Sequence, residues 1–174
     1  MPAVCNSSPL MWLSKAGRLA LLKRLYGRVI IPEEVYRETV EKGLAEGFTE
    51  ALVVKEAVEE GWAEVSALAE ADRELCRRTV EHAPEIHAGE AQPVMIARKT
   101  GLPLLMDEAS GRSLAETFGL QVNGTAYVIF KGLEEGCLKR EETIETVLRL
   151  VEKGFRIEPG LLSRILRAIE TGRG

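Results

Sequence analysis

The stretch GEAQPVMIARKTGLPLLMDEASGRSLAETFGLQVNGT, residues 89–125, decides the fold. Glu90 stands in the first turn of a helix whose apolar residues include Val94, Met95 and Ala97, and Gly101 closes that helix. Residues 102–106 form a short apolar run. Pro103 is tolerable there only at the start of a strand or on an edge. The run stops abruptly at Asp107 and Glu108. A second helix follows, with Leu114, Ala115 and Phe118 on one face and Arg112 on another. Gly119 ends it, and residues 120–122 make one more short strand. Helix, strand, helix, strand is the alternation of a mostly parallel α/β sheet. In such sheets chemistry sits outside the carboxyl ends of the strands, which is where this reading puts Asp107.

Outward from this stretch the chain repeats the pattern. Residues 2–5 read as a first strand. Ser7 or Ser8 is expected to cap the next helix, with Pro9 at its first position and Leu10, Trp12 and Leu13 buried. A helix over residues 18–25 turns Leu19, Leu22 and Leu25 inward and leaves Lys15, Arg18, Lys23 and Arg24 outward or at its edge. Residues 28–31 are a β-branched strand stopped by Pro32. The helix after it carries Glu33 and Glu34 in its first turn and Glu38 in its middle. Further helices are expected over 48–60 and 67–82, with a strand at 62–65 between them and a loop at 82–87. Residues 126–133 read as a helix beginning at Gly124-Thr125, with a strand as the alternative. Two last helices, at 141–153 and 159–171, repeat Leu, Ile and Val at helical spacing. They complete the core or build a dimer face. The division expected is one domain over 1–137 with a helical extension, 138–174, packed on it.

The 174 residues suffice for one such domain, and 45% are hydrophobic, as in globular proteins. A net charge of −4 argues against bulk electrostatic capture of nucleic acid but leaves room for a local basic patch. Cys5, Cys76 and Cys137 follow no zinc or redox spacing and read as reduced thiols of a cytoplasmic protein. No run approaches the roughly 18 apolar residues that span a membrane, and no signal peptide is evident at the N-terminus. His82 and His87 are too loose a pair to suggest zinc. There is no phosphate-binding glycine loop and no G-x-S-x-G elbow, so nucleotide-cofactor enzymes and acyl transfer lose support.

Four positions carry the chemistry. Asn6 ends the first strand, Glu38 lies in the helix after the second, Glu90 opens a helix, and Asp107 ends a strand with Glu108 beside it. Brought to one sheet edge, they would offer oxygen ligands without histidine or cysteine, the donor set of Mg²⁺ or Mn²⁺. Such ions activate water in phosphodiester hydrolysis. The plainer alternatives are that these are ordinary members of 27 acidic residues on solvated faces, and that Asp107 caps the segment after it.

The stretches VCNSSPLMWLSKAG, VIIPEEVYRETV, HAGEAQPVMIARKTG, LPLLMDEASGRSLAETFGL and QVNGTAYVI, in that order, resemble the PIN-domain family, most closely its branch related to VapC-type toxins. The resemblance implies a three-layer α/β/α fold with a parallel sheet. It also implies an Mg²⁺- or Mn²⁺-dependent endoribonuclease, often a homodimer, held inactive by an antitoxin protein. By position, the family's acidic sites fall on Asn6, Glu38, Glu90 and Asp107, with Glu108 adjacent. Glu38, Glu90 and Asp107 are then the catalytic carboxylates, Asn6 and Glu108 assist with the metal, and Ser8 and Arg112 meet substrate phosphate. Lys15 and Arg18 are candidates for an RNA-binding rim. Asn6 departs from the family's aspartate; an amide coordinates through its carbonyl but brings no charge. The competing reading is a PIN-like fold that has lost catalysis and serves as a binding or scaffold module.

Overall fold

The computed structural model describes residues 1–171. Its centre is a five-stranded, all-parallel sheet in the order β3-β2-β1-β4-β5, built from β1 (Ala3–Cys5), β2 (Val29–Pro32), β3 (Ala63–Ser66), β4 (Leu104–Leu105) and β5 (Val122–Asn123). β1 is the central strand. It pairs with β2 through Ala3↔Val29 and with β4 through Val4↔Leu104.

The strands are short and apolar because both faces of the sheet are covered. Alternate residues go to opposite layers. Ala3, Cys5, Val29, Ile31 and Leu105 join one core, with Leu10, Leu13, Leu22, Val54 and Ile129 from the helices on that side. Val4, Leu104 and Met106 join the other, with Val94, Met95, Ala97 and Leu114. The result is the expected α/β/α arrangement, with the sheet wholly parallel.

The first layer contains α1 (Ser7–Lys15), α2 (Ala20–Tyr26), α5 (Thr49–Glu59), α9 (Thr125–Glu134) and α10 (Arg140–Glu152); the second contains α6 (Glu70–His82), α7 (Ala88–Thr100) and α8 (Ala109–Thr117). A continuous helical segment over 33–45 follows β2. It consists of α3 (Glu33–Tyr36), a π-helical stretch (Arg37–Lys42) and α4 (Gly43–Ala45). Residues 126–133 are therefore helical, and the strand alternative falls away. The helix α11 (Pro159–Thr171) packs on α9 and buries Ile165 completely. α10 buries Leu150 and is tied to the N-terminal helices by Arg18, which donates to Thr146 and pairs with Glu142, and by Arg149, which donates to the Ala16 carbonyl. Arg18 thus belongs to the joint with α10 rather than to a free rim. Ile144, Leu148 and Val151 on α10 stay exposed.

One local expectation changes. Asn6, not a serine, is the N-cap of α1, and Ser7, Ser8 and Pro9 are already inside its first turn. Neither serine hydroxyl caps the helix. Both reach acidic side chains from other elements.

Candidate active site

The strand order reverses at β1 and β4. The chain runs outward from β1 through β2 to β3, then returns to the other side of β1 for β4 and β5. At such a switch point the loops leave in opposite directions and open a crevice at the carboxyl edge. Asn6 follows β1 directly, and Met106, Asp107 and Glu108 follow β4. A cleft of about 200 Å³ opens there, lined by Asn6, Ser7, Glu38, His87, Gly89, Glu90 and Glu108.

Each acid arrives on a different element. Glu38 comes from the π-helical stretch, a distortion that is rare in helices and frequent at functional sites. Glu90 is the third residue of α7 and only 8% exposed. Glu108 is the N-cap of α8. The helices that carry Glu38 and Glu90 are pinned together where the Glu34 backbone N–H donates to Gln92 Oε1 at 3.3 Å. Gly89 permits the close approach: a Cβ there would sit 2.6 Å from both Glu38 carboxylate oxygens.

A ring of donors orients the carboxylates. Ser7 Oγ donates to Glu38 Oε2 at 2.8 Å. Asn6 Nδ2 and Ser8 Oγ both donate to Glu108 Oε2, at 2.8 and 3.0 Å. Glu90 accepts from the His87 backbone N–H at 2.9 Å and from the Ser110 hydroxyl. Asn6 is 2% exposed, and its carbonyl Oδ1 is buried with no hydrogen-bond partner. Leaving a buried acceptor unpaired costs about 1–3 kcal/mol. Glu38 Oε1 and Glu108 Oε1 likewise receive no protein donor among the described residues. No Lys or Arg lines the cleft.

Asp107 goes elsewhere. Its Oδ1 accepts from the Thr125 backbone N–H at 2.7 Å and its Oδ2 from the Thr125 hydroxyl at 2.6 Å. It caps α9, a helix distant in sequence, and not α8, which directly follows it. Gly124 leaves the space this requires, because a Cβ there would collide with Asp107 Oδ1. Asp107 lines a second, larger cavity, together with Arg112. Arg112 donates to the Met106 carbonyl at 3.0 Å. Ser8, expected to face substrate, bridges Glu108 and the Asp107 backbone N–H, which donates to its hydroxyl at 3.3 Å. The structure therefore gathers Asn6, Glu38, Glu90 and Glu108. It leaves Asp107 outside that cleft, because the one-residue step along the turn after β4 separates it from Glu108, and Arg112 outside it at the Met106 carbonyl.

Sequence reasoning did not single out Ser7, Ser110, His87 or Gly89 as cleft residues. For the serines a signal existed: each lies within two residues of a predicted ligand at a helix start, where a short hydroxyl reaches a neighbouring carboxylate. For His87 the signal was local, since it is the N-cap of α7 with Glu90 at the third helical position, as in a capping box; Gly89 takes its role from tertiary contact with Glu38.

The fold and cleft together define a doubly wound α/β domain with an acid-lined crevice at its switch point. A family model described as "PIN domain" matches residues 2–171, and the chain belongs to that family. PIN domains are as a class nucleases that use divalent metal ions. No curated protein and no solved structure matches the chain. No helix among the described residues is long and apolar enough to cross a membrane.

The cleft was tested against a divalent ion on its own chemistry. Among the described residues, no three His, Cys, Asp or Glu side chains alone form a metal-binding group. What the cleft offers is a set of hard oxygen donors: the unpaired buried carbonyl oxygen of Asn6, two carboxylate oxygens without a protein donor among the described residues, and the carboxylate of Glu90.

Proposed function

We propose that this cleft is the active site of a divalent-metal-dependent ribonuclease, with Asn6, Glu38, Glu90 and Glu108 as the residues that hold Mg²⁺ or Mn²⁺. The observation that carries the reading is the buried, partnerless Oδ1 of Asn6, set among three carboxylates with no cationic side chain in the lining. Carboxylates gathered in a partly buried cleft without a counter-charge are costly, and a cation would supply it. Bound there, the ion would provide positive charge for the scissile phosphate and acidify an attacking water.

The chain's own residues do the positioning. Asn6 holds Glu108 through Nδ2 while its Oδ1 is left without a partner among the described residues. Ser7, Ser8 and Ser110 fix the carboxylates, the outer-shell support that metal ligands need. Asp107 does not line the cleft. By capping α9 it fixes the turn from which Glu108 projects, so it is a positioning residue in place of the catalytic carboxylate expected for it. His87, the N-cap of α7, holds Glu90 through its backbone N–H.

A role as the toxin of a toxin–antitoxin pair, with an antitoxin protein as partner, is supported by the likeness of the five motifs to VapC-type toxins. A homodimer is supported by the exposed Ile144, Leu148 and Val151 on α10.

The test is cleavage of an RNA panel with Mg²⁺, Mn²⁺ or EDTA, with Glu108→Gln beside wild type. Cleavage that needs the ion and disappears in the variant is expected. A wild type that neither cleaves RNA nor binds Mn²⁺ calorimetrically would overturn the proposal in favour of a scaffold module.

A further inference from the structure

The turn after β4 is shared by two cavities. Glu108 lines the acidic cleft, and Asp107 lines a cavity of about 610 Å³ between α8, α9 and the C-terminal arm. The second is of opposite character. Three guanidinium groups border it, from Arg112, Arg156 and Arg164, with the rings of Tyr127 and Phe155 on its wall. Two carboxylates border it as well, and both are engaged by donors of their own. Asp107 is held by Thr125. Glu158 accepts from the backbone N–H groups of Gly160 and Leu161 at 2.8 and 2.9 Å.

Arg112 is held at the Met106 carbonyl, and the other two arginines are free of ion pairs among the described residues. Arg156 and Arg164 are exposed and enter none of the ion pairs among the described residues, although neighbouring Arg149 and Arg18 do. Arg164 rests its guanidinium 4.5 Å from the centroid of Phe130, which leaves its edge N–H donors available. Three arginines sharing a cavity in a chain of net charge −4 is a local reversal of charge. A planar guanidinium fork suits phosphate oxygens, and aromatic walls beside basic groups suit a single-stranded nucleic acid.

We propose that this cavity is a second nucleic-acid subsite, which holds a phosphate and the adjoining base of an RNA strand crossing the turn after β4 from the acidic cleft. The assignment rests on the ribonuclease reading for the identity of the strand. The subsite gives an acidic protein an attractive foothold for a polyanion beside carboxylates that repel it.

The experiment is fluorescence anisotropy with a short labelled single-stranded RNA in EDTA, so that binding is read without cleavage. The paired variant Arg156→Gln/Arg164→Gln is expected to weaken binding about tenfold and to flatten the salt dependence by roughly 1.4, at about 0.7 per phosphate contact in single strands. Arg167→Gln removes one positive charge from α11, the helix of Arg164, but outside this cavity, and should leave affinity unchanged. Unaltered affinity in the paired variant, or an equal loss in Arg167→Gln, would overturn the subsite. Displacement of the RNA by equimolar inorganic tripolyphosphate would make it a small-anion site and overturn the strand assignment. Cleavage by wild type with binding indifferent to the arginine pair removes the subsite and keeps the ribonuclease. Binding that depends on the pair, without cleavage under any ion, keeps the subsite and removes the ribonuclease.

Discussion

Asn6 combines two functions that an aspartate could not. Its Nδ2 donates to Glu108, and its Oδ1 stays buried and unpaired. Asn6→Asp would set a fourth carboxylate against Glu108 and delete the donor. Without metal the variant should lose about 1–3 kcal/mol of stability, the usual result of unpairing a buried polar group. With Mn²⁺ it should bind more tightly than wild type, because the added charge is then neutralised. Thermal melts and calorimetry check both halves, and weaker Mn²⁺ binding in the variant would show that Asn6 does not face the ion. Asp107 and Glu108 make a second contrast. Asp107→Asn keeps one acceptor for Thr125 and loses the charge-assisted bond of the other oxygen, so it should cost about 1–3 kcal/mol of stability and leave Mn²⁺ affinity within a few-fold. Glu108→Gln should do the reverse, with metal affinity lost and the melting temperature little changed. Gly89→Ala belongs here too. Its Cβ would displace the Glu38 carboxylate, so cleavage should fall by at least tenfold in a protein that still folds, as activity and circular dichroism measured together would show. From the sequence, the clustering of acids at strand ends was readable because a carboxylate directly after an apolar run lies at a sheet edge. Which of Asp107 and Glu108 enters the cleft was not readable. The answer depends on Thr125, eighteen residues away in the chain, taking up Asp107.

At the scale of elements, the helices were legible from apolar spacing and from their glycine stops. Gly101, at φ 68, ends α7 in the left-handed conformation that glycine adopts without strain. Strand limits shifted by a residue or two, since parallel pairing, and not apolar character, sets where a ladder ends. The π-helical stretch had no signature in the apolar pattern. It inserts an extra residue per turn, and its consequence is where Glu38 points. Thr39 in that stretch donates back to the Val35 carbonyl at 2.7 Å, a bond that bends helices. The α11 arm makes a testable element. Glu158 supplies its N-terminal cap, and the Gly160 and Leu161 N–H groups hold its carboxyl below the usual carboxylate range. A lowered folded-state value means that the stabilisation is fully present above the unfolded value, near 4.5, and is lost as pH falls through the folded one. The melting-temperature difference between wild type and Glu158→Gln should therefore be constant from pH 7 to about 5 and shrink below 4.5. A difference that does not change with pH would mean that the cap acts through shape alone.

At the scale of the whole molecule, the sheet order brings polar side chains from four separate segments, at residues 6, 38, 90 and 108, to one crevice. Helices and both faces of the sheet were foreseeable from the sequence, and so was the parallel alternation. The convergence of these four residues was an expectation of topology that only the paired strands could locate. The same topology concentrates negative charge in the cleft while the second cavity carries arginine, so an acidic chain presents both signs at one edge. On the proposed metal reading, a cation would offset that gathered charge, and metal binding should then act as folding energy. A ligand at one hundred times its dissociation constant adds about 2.7 kcal/mol to a native state that alone binds it. For a chain of this length that corresponds to a rise in melting temperature of roughly 5–10 °C. Wild type titrated with Mn²⁺ should follow that curve, and Glu108→Gln should stay flat over the same range. An equal rise in both proteins would place the ion elsewhere on the acidic surface, while no rise in either would remove the metal from the cleft altogether.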